Sequence, residues 1–135
     1  MKRLLTYLDS SCLIAAADFE INRSAKVYDL LREPHRNVLY SSFVTLETLS
    51  LAIHYGNKSR ENFFRYYLNQ CLTISDKLIE ILNEARRQSE KYGIVGIDAC
   101  HIAAAIIGSA DEFYTFEKLT RPMFRTKEIK VISLL

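Results

Sequence analysis

The stretch Arg3-Leu4-Leu5-Thr6-Tyr7-Leu8-Asp9-Ser10-Ser11-Cys12-Leu13-Ile14-Ala15-Ala16-Ala17 determines how this chain is read. Residues 3 to 8 form a short apolar run without helical spacing. It stops abruptly at Asp9-Ser10-Ser11 and gives way to an alanine-rich segment. A buried strand, a turn and a helix fit that order, and Asp9 then falls directly after the strand.

The remaining segments repeat the alternation. Ser24 is predicted to cap a helix over Ala25 to Arg32, ended by Pro34, and a second strand follows from Asn37 to Ser41. Ser42 is predicted to cap a helix from Phe43 to His54, with Gly56 marking its end. Lys58 to Asn69 reads as a helix and Cys71 to Ile74 as a third strand. Asp76 would cap a long helix to Tyr92, and Gly93 and Gly96 break the chain before a helix from Ile97 to Ile107. Residues 112 to 115 and 129 to 133 complete the strands. Strands alternating with helices predict an α/β fold: a central parallel sheet of four to five strands in a three-layer α/β/α arrangement with right-handed crossovers.

Composition sets the frame. The 135 residues suit one domain, 1–135, with 49% apolar and 25% charged residues. Eighteen basic and 16 acidic side chains give a net charge of only +2, so any nucleic-acid contact must come from local clustering. Cys12, Cys71 and Cys100 are far apart, with no CxxC pair and no zinc spacing, and read as buried reduced thiols of a cytoplasmic protein. The basic opening Met1-Lys2-Arg3 precedes too short an apolar run for a signal peptide, and no window approaches the roughly 18 apolar residues of a membrane span.

In an open parallel sheet, ligands bind outside the carboxyl ends of the strands. Asp9 follows the first strand, Glu117 lies just beyond the fourth, and Glu47 is near the start of the helix leaving the second. Asp98 opens a helix that must end where the fourth strand begins. That helix spans roughly 16 Å, about the height of the sheet, so Asp98 returns to the carboxyl edge. Glu47 shares a helical stripe with Val44 and Leu51, an unusual place for a charge, and Ser42 has Thr45 rather than Glu at the capping-box offset. Like carboxylates about 5 Å apart repel by roughly 3 kcal/mol at an effective dielectric of 20, so four together require a proton or a cation. Oxygen ligands without His or Cys select hard ions, Mg²⁺ or Mn²⁺, which can orient a phosphodiester and activate a water.

The segments TYLDSSCLIAAA, SSFVTLETL, GIDACHIAAAI and ADEFYTFEKL, in that order and spacing, resemble the PIN-domain family and within it the VapC-type ribonuclease toxins. The resemblance spans nearly the whole chain. It implies metal-dependent cleavage of RNA, with Asp9, Glu47, Asp98 and Glu117 as catalytic and metal-binding residues. It further implies that Ser11 and Thr115 orient carboxylates or waters, and it brings two expected partners: a second copy of the chain and a small antitoxin protein. Glu117 departs from the Asp more usual at that position, leaving Asp111 or Glu112 as candidates for the fourth acid. A housekeeping PIN nuclease in RNA processing, or a degenerate module that only binds RNA or protein, are the alternatives. A haloacid-dehalogenase-like phosphatase would need a second Asp where Ser11 stands.

Other residues read more plainly. His101, one turn from Asp98 in an alanine-rich helix, reads as a core or hydrogen-bonding histidine rather than a catalytic one. Lys58 to Tyr67 interleaves bases with aromatics, but Phe63, Phe64 and Tyr67 fit an inner or dimer-facing stripe better than an RNA-stacking surface. Lys118 and Arg121, followed by Arg125 and Lys127, are the candidates for phosphate contact.

Overall fold

A computed structural model of the chain describes residues 3–19 and 21–135; Met1 and Lys2 of the basic opening lie outside the described residues. Five parallel strands, β1 (Leu4–Leu8), β2 (Arg36–Ser41), β3 (Leu72–Ile74), β4 (Glu112–Thr115) and β5 (Lys130–Ser133), form one sheet in the order β3-β2-β1-β4-β5. The helices are α1 (Ser10–Ala17), α2 (Ile21–Leu31), α3 (Ser42–Glu47), α4 (Leu49–His54), α5 (Lys58–Leu68), α6 (Leu78–Tyr92) and α7 (Gly96–Ile107), with a 3₁₀ turn at Pro122–Arg125.

Alternation along β1 divides the core. Leu8 faces one layer, where it meets Cys12, Ala15 and Ala16 of α1 and Val27 of α2. Tyr7 faces the other, stacked on Phe113 of β4 at 5.2 Å and packed with Ile102 and Ala103 of α7. Small residues in α1 and α7 let both helices lie close on the sheet, which is why alanine dominates them. The three-layer α/β/α fold with a parallel sheet follows the sequence pattern.

Several boundaries differ from expectation. α2 starts at Ile21, with Ser24 buried inside it, because Ser24, Val27 and Leu31 share its inward stripe. Ser41, not Ser42, is the N-cap of α3, and it makes no capping bond because its hydroxyl is 2.7 Å from the Tyr7 hydroxyl. Lys77 rather than Asp76 precedes α6. The single helix expected over Phe43 to His54 is two, broken at Thr48 (φ −122°, ψ −85°), whose hydroxyl donates to the Val44 carbonyl at 2.7 Å. The break ends α3 on Glu47 and leaves Leu51 exposed, so the stripe drawn through Val44, Glu47 and Leu51 does not persist.

α6 crosses from β3 to the segment joining β4 and β5. Its end is held there by Arg125, which donates to the Tyr92 carbonyl at 3.2 Å, and by Gln88, which donates to Glu128 at 2.9 Å. This crossing delivers the start of α7, and Asp98 with it, to the carboxyl edge. Gly93 closes α6 in the left-handed conformation at φ +70°. Gly93→Ala is expected to cost about 1 kcal/mol, read as a lower chemical-denaturation midpoint at unchanged slope, because a Cβ is strained at that φ.

Candidate active site

Between β1 and β4 the connections leave in opposite directions, β1 toward β2 and β4 toward β5. This is the switch point of the sheet, where the strand ends splay and open a crevice. A cleft of about 180 Å³ lies there, lined by Asp9, Ser10, Ser11, Ile14, Glu47, Asp98, His101 and Glu117. The four acids singled out in the sequence therefore line one cleft, each from a different element.

Asp9 ends β1 and caps α1, accepting weakly from the Cys12 N–H at 3.4 Å. It is only 6% exposed. Ser11 donates to one carboxylate oxygen at 2.5 Å and Thr115 to the other at 2.6 Å. Each hydroxyl is oriented in turn by a backbone donor, Phe116 N–H onto Ser11 at 3.0 Å and Glu117 N–H onto Thr115 at 3.1 Å. Burial nonetheless pushes the Asp9 carboxyl above its ordinary pKa, outweighing those bonds and the nearby His101.

Glu47, at the end of α3, sits in the opposite electrostatic state. The hydrogen bond from His101 Nε2 at 2.5 Å draws its carboxyl below the ordinary value; partial burial opposes this, and Ser10, donating at 2.8 Å, assists. Asp98, in the first turn of α7, and Glu117, beyond β4, share one counter-ion. Arg121 Nη2 is 3.2 Å from Asp98 and Arg121 Nε is 3.6 Å from Glu117.

With every carboxylate turned to an internal donor, no three His, Cys, Asp or Glu side chains among the described residues are drawn together into an ion cage. The donor set still fits a hard cation. It is made of carboxylate oxygens, and Asp9 is a desolvated carboxyl whose charge the fold alone does not compensate.

Asp111 and Glu112 stand elsewhere. Asp111 accepts from the Leu5 N–H at 2.8 Å, and Glu112 pairs with Thr6 and Arg36, both at the amino edge; neither joins the other acids. Glu117 is the acid beyond β4 that lines the cleft. Lys118 is exposed beside it, whereas Arg121 is held by the acids and Arg125 by the end of α6. In α5, Phe64 is buried and Phe63 and Tyr67 pack against the core, as the inner-stripe reading expects.

Ser10, His101 and Tyr7 are the site residues that sequence reasoning undervalued. A signal for Tyr7 was available: a tyrosine in an aliphatic buried strand needs a partner for its hydroxyl.

An α/β/α domain with acids gathered at its switch point is the architecture of a PIN domain, and the chain belongs to that family, whose model matches residues 6–120. The fold is shared with a chain of a toxin–antitoxin complex from Klebsiella pneumoniae, 17% identical with a TM-score of 0.71, covering 95% of this chain and 96% of that one. It is shared equally with VapBC2 from Rickettsia felis bound to a DNA fragment from its promoter, at 17% identity and a TM-score of 0.72, over 96% and 98% of the two chains. DNA-bound VapBC from Salmonella typhimurium aligns over the same shares at 15% identity and a TM-score of 0.61. A search of the curated proteins matched none. Among the described residues, no helix is long and apolar enough to cross a membrane.

Proposed function

We propose that this chain is a divalent-metal-dependent endoribonuclease and the toxin half of a VapBC-type toxin–antitoxin pair, acting in the cytoplasm as a homodimer. The observation that carries the nuclease reading is the cleft in which Asp9, Glu47, Asp98 and Glu117 meet in a PIN-domain chain. The toxin assignment and the antitoxin partner are supported by likeness to VapBC structures, and the dimer rests on the family resemblance alone.

Asp9, Glu47, Asp98 and Glu117 are the residues that would hold Mg²⁺ or Mn²⁺. Bound there, the ion would offset phosphodiester charge and lower the pKa of an attacking water. Ser11 and Thr115 fix the Asp9 carboxylate, and Ser10 and His101 fix Glu47, so both acids are oriented before substrate arrives. Arg121 neutralises Asp98 and Glu117 in the free protein. With a cation held by those acids, the Arg121 guanidinium would be free to grip a backbone phosphate in two places, with Lys118 beside it.

The test is cleavage of structured RNAs by wild type and Asp98→Asn, with Mg²⁺, with Mn²⁺ and with chelator. Cleavage by wild type that chelator abolishes, and that falls roughly a hundredfold or more in the variant, supports the reading. Equal cleavage by both removes the metal-site assignment, and no cleavage by either across many RNAs points to a binding module. Growth arrest on induction, relieved by a small neighbouring protein, is the expected sign of a toxin.

A further inference from the structure

His101 lies at the centre of a line of hydrogen-bonded polar groups that crosses the core. It is buried in the middle of the alanine face of α7. Nδ1 is 2.7 Å from the Tyr7 hydroxyl, which is itself 2.7 Å from the Ser41 hydroxyl. Nε2 is 2.5 Å from Glu47 Oε1, which also accepts from Ser10 at 2.8 Å. The line runs from the carboxyl end of β2, through β1 and α7, to the last residue of α3.

With the imidazole neutral, one set of directions satisfies every group. At neutral pH the Tyr7 phenol carries its proton. That single proton cannot serve both neighbours. Ser41 donates to the Tyr7 oxygen, Tyr7 donates to Nδ1, and the imidazole carries its proton on Nε2, facing the carboxylate. The opposite tautomer would leave Nε2 and the Glu47 carboxylate as two acceptors in contact. The core thus fixes the tautomer, and the tautomer fixes the carboxylate.

Glu47 needs such a fixture. It ends a six-residue helix immediately before the break at Thr48, so no following helical turn holds its side chain. Its side chain is 36% exposed, against 4% for the histidine that grips it. A glutamate with three rotatable bonds at a helix end would otherwise sample several rotamers. We propose that His101 is the positioning residue of this site: through the Ser41–Tyr7–His101 line it holds Glu47 in the one rotamer that presents its second oxygen to a cation. The proposal rests on the reading of Glu47 as a metal-binding carboxylate. It assigns His101 no contact with substrate or reacting atoms.

Two substitutions of nearly equal size separate positioning from packing. In His101→Gln the side-chain amide lies where Nε2 was and can still donate to Glu47. In His101→Asn it lies where Nδ1 was, reaches Tyr7, and falls short of Glu47. Mn²⁺ binding by calorimetry on the purified protein, melting temperature, and RNA cleavage across a range of Mn²⁺ concentrations are read for both.

His101→Gln is expected to bind Mn²⁺ within about threefold of wild type. His101→Asn should bind it roughly ten- to a hundredfold more weakly, the usual effect of removing a group that orients a metal ligand. Its kcat should recover in part as Mn²⁺ is raised. Melting temperatures should be lowered alike in the two. Equal loss of affinity in both variants, tracking their loss of stability, overturns the proposal in favour of a packing role. Wild-type affinity in both overturns it as well. Failure of wild type itself to bind Mn²⁺ removes the metal reading and this proposal with it, an outcome distinct from the other two.

Discussion

Asp9→Asn is expected to cut RNA cleavage by roughly a hundred- to a thousandfold while raising the melting temperature of the metal-free protein by roughly 4 °C. The two effects share one cause. Asp9 is buried, and burial lifts its carboxyl above the ordinary value of 3.8 in spite of three hydrogen bonds. A carboxyl whose folded pKa is raised binds its proton more tightly in the folded chain than in the unfolded one. Folding is therefore most favoured below the ordinary carboxyl range. It weakens as pH rises between the unfolded and folded values, and above the folded value the full cost is present.

Asparagine removes that cost without a cavity. Its amide can donate to Thr115 Oγ1, whose own proton then turns to Ser11, 3.4 Å away. Gains of about 1 kcal/mol are typical when a strained functional group is neutralised. Melting curves in chelator from pH 4 to 8 should show the wild type losing stability relative to the variant as pH rises. Added Mg²⁺ should stabilise the wild type and leave the variant unmoved. A variant less stable than wild type in chelator would mean that the Asp9 charge serves the cap of α1, not a cation.

What the sequence made legible was placement. The position of an acid one residue after a strand, or in the first turn of a helix, follows from counting, because strands and helices have fixed rises. That counting puts Asp9, Glu47, Asp98 and Glu117 at the carboxyl edge. Side-chain partnership was not legible in the same way. His101 and Glu47 are 54 positions apart, and their contact depends on the break at Thr48, a one-residue event inside a segment that reads as one helix. Arg121 looked like a phosphate ligand because it is basic and near the last acid. That it bridges Asp98 and Glu117 depends on how the 3₁₀ turn at Pro122–Arg125 packs on α6 and α7, which no local pattern encodes. Caps failed for a related reason: Ser41 has the composition of a cap, but its hydroxyl is engaged by Tyr7 across the sheet.

The second large effect lies at the other edge of the sheet. Arg36 of β2 pairs with Glu112 of β4 across β1, with side chains 7% and 11% exposed. Thr6 lies between them, its hydroxyl accepting from Arg36 at 2.7 Å and donating to Glu112 at 2.8 Å. Glu33 accepts from the far side of the guanidinium at 2.9 Å, and the ring of Tyr114 lies beneath it at 5.6 Å. Arg36→Leu leaves Glu112 charged and unpaired in a nearly dry setting, which should cost about 3–5 kcal/mol, or roughly 10–15 °C in melting temperature. Glu112→Leu alone should cost less, because Arg36 keeps Glu33. The double variant Arg36→Leu/Glu112→Leu should recover most of the loss, since two apolar side chains can replace a buried pair at little net cost. A coupling energy of at least about 2 kcal/mol in the double-mutant cycle is the expected signature. The same variants bear on the fourth acid. If Glu112 served the cation in place of Glu117, the double variant would lose Mn²⁺ binding however well it folded. With Glu112 bound at the amino edge, the folded double variant should bind Mn²⁺ as wild type does, and Glu117→Gln should not.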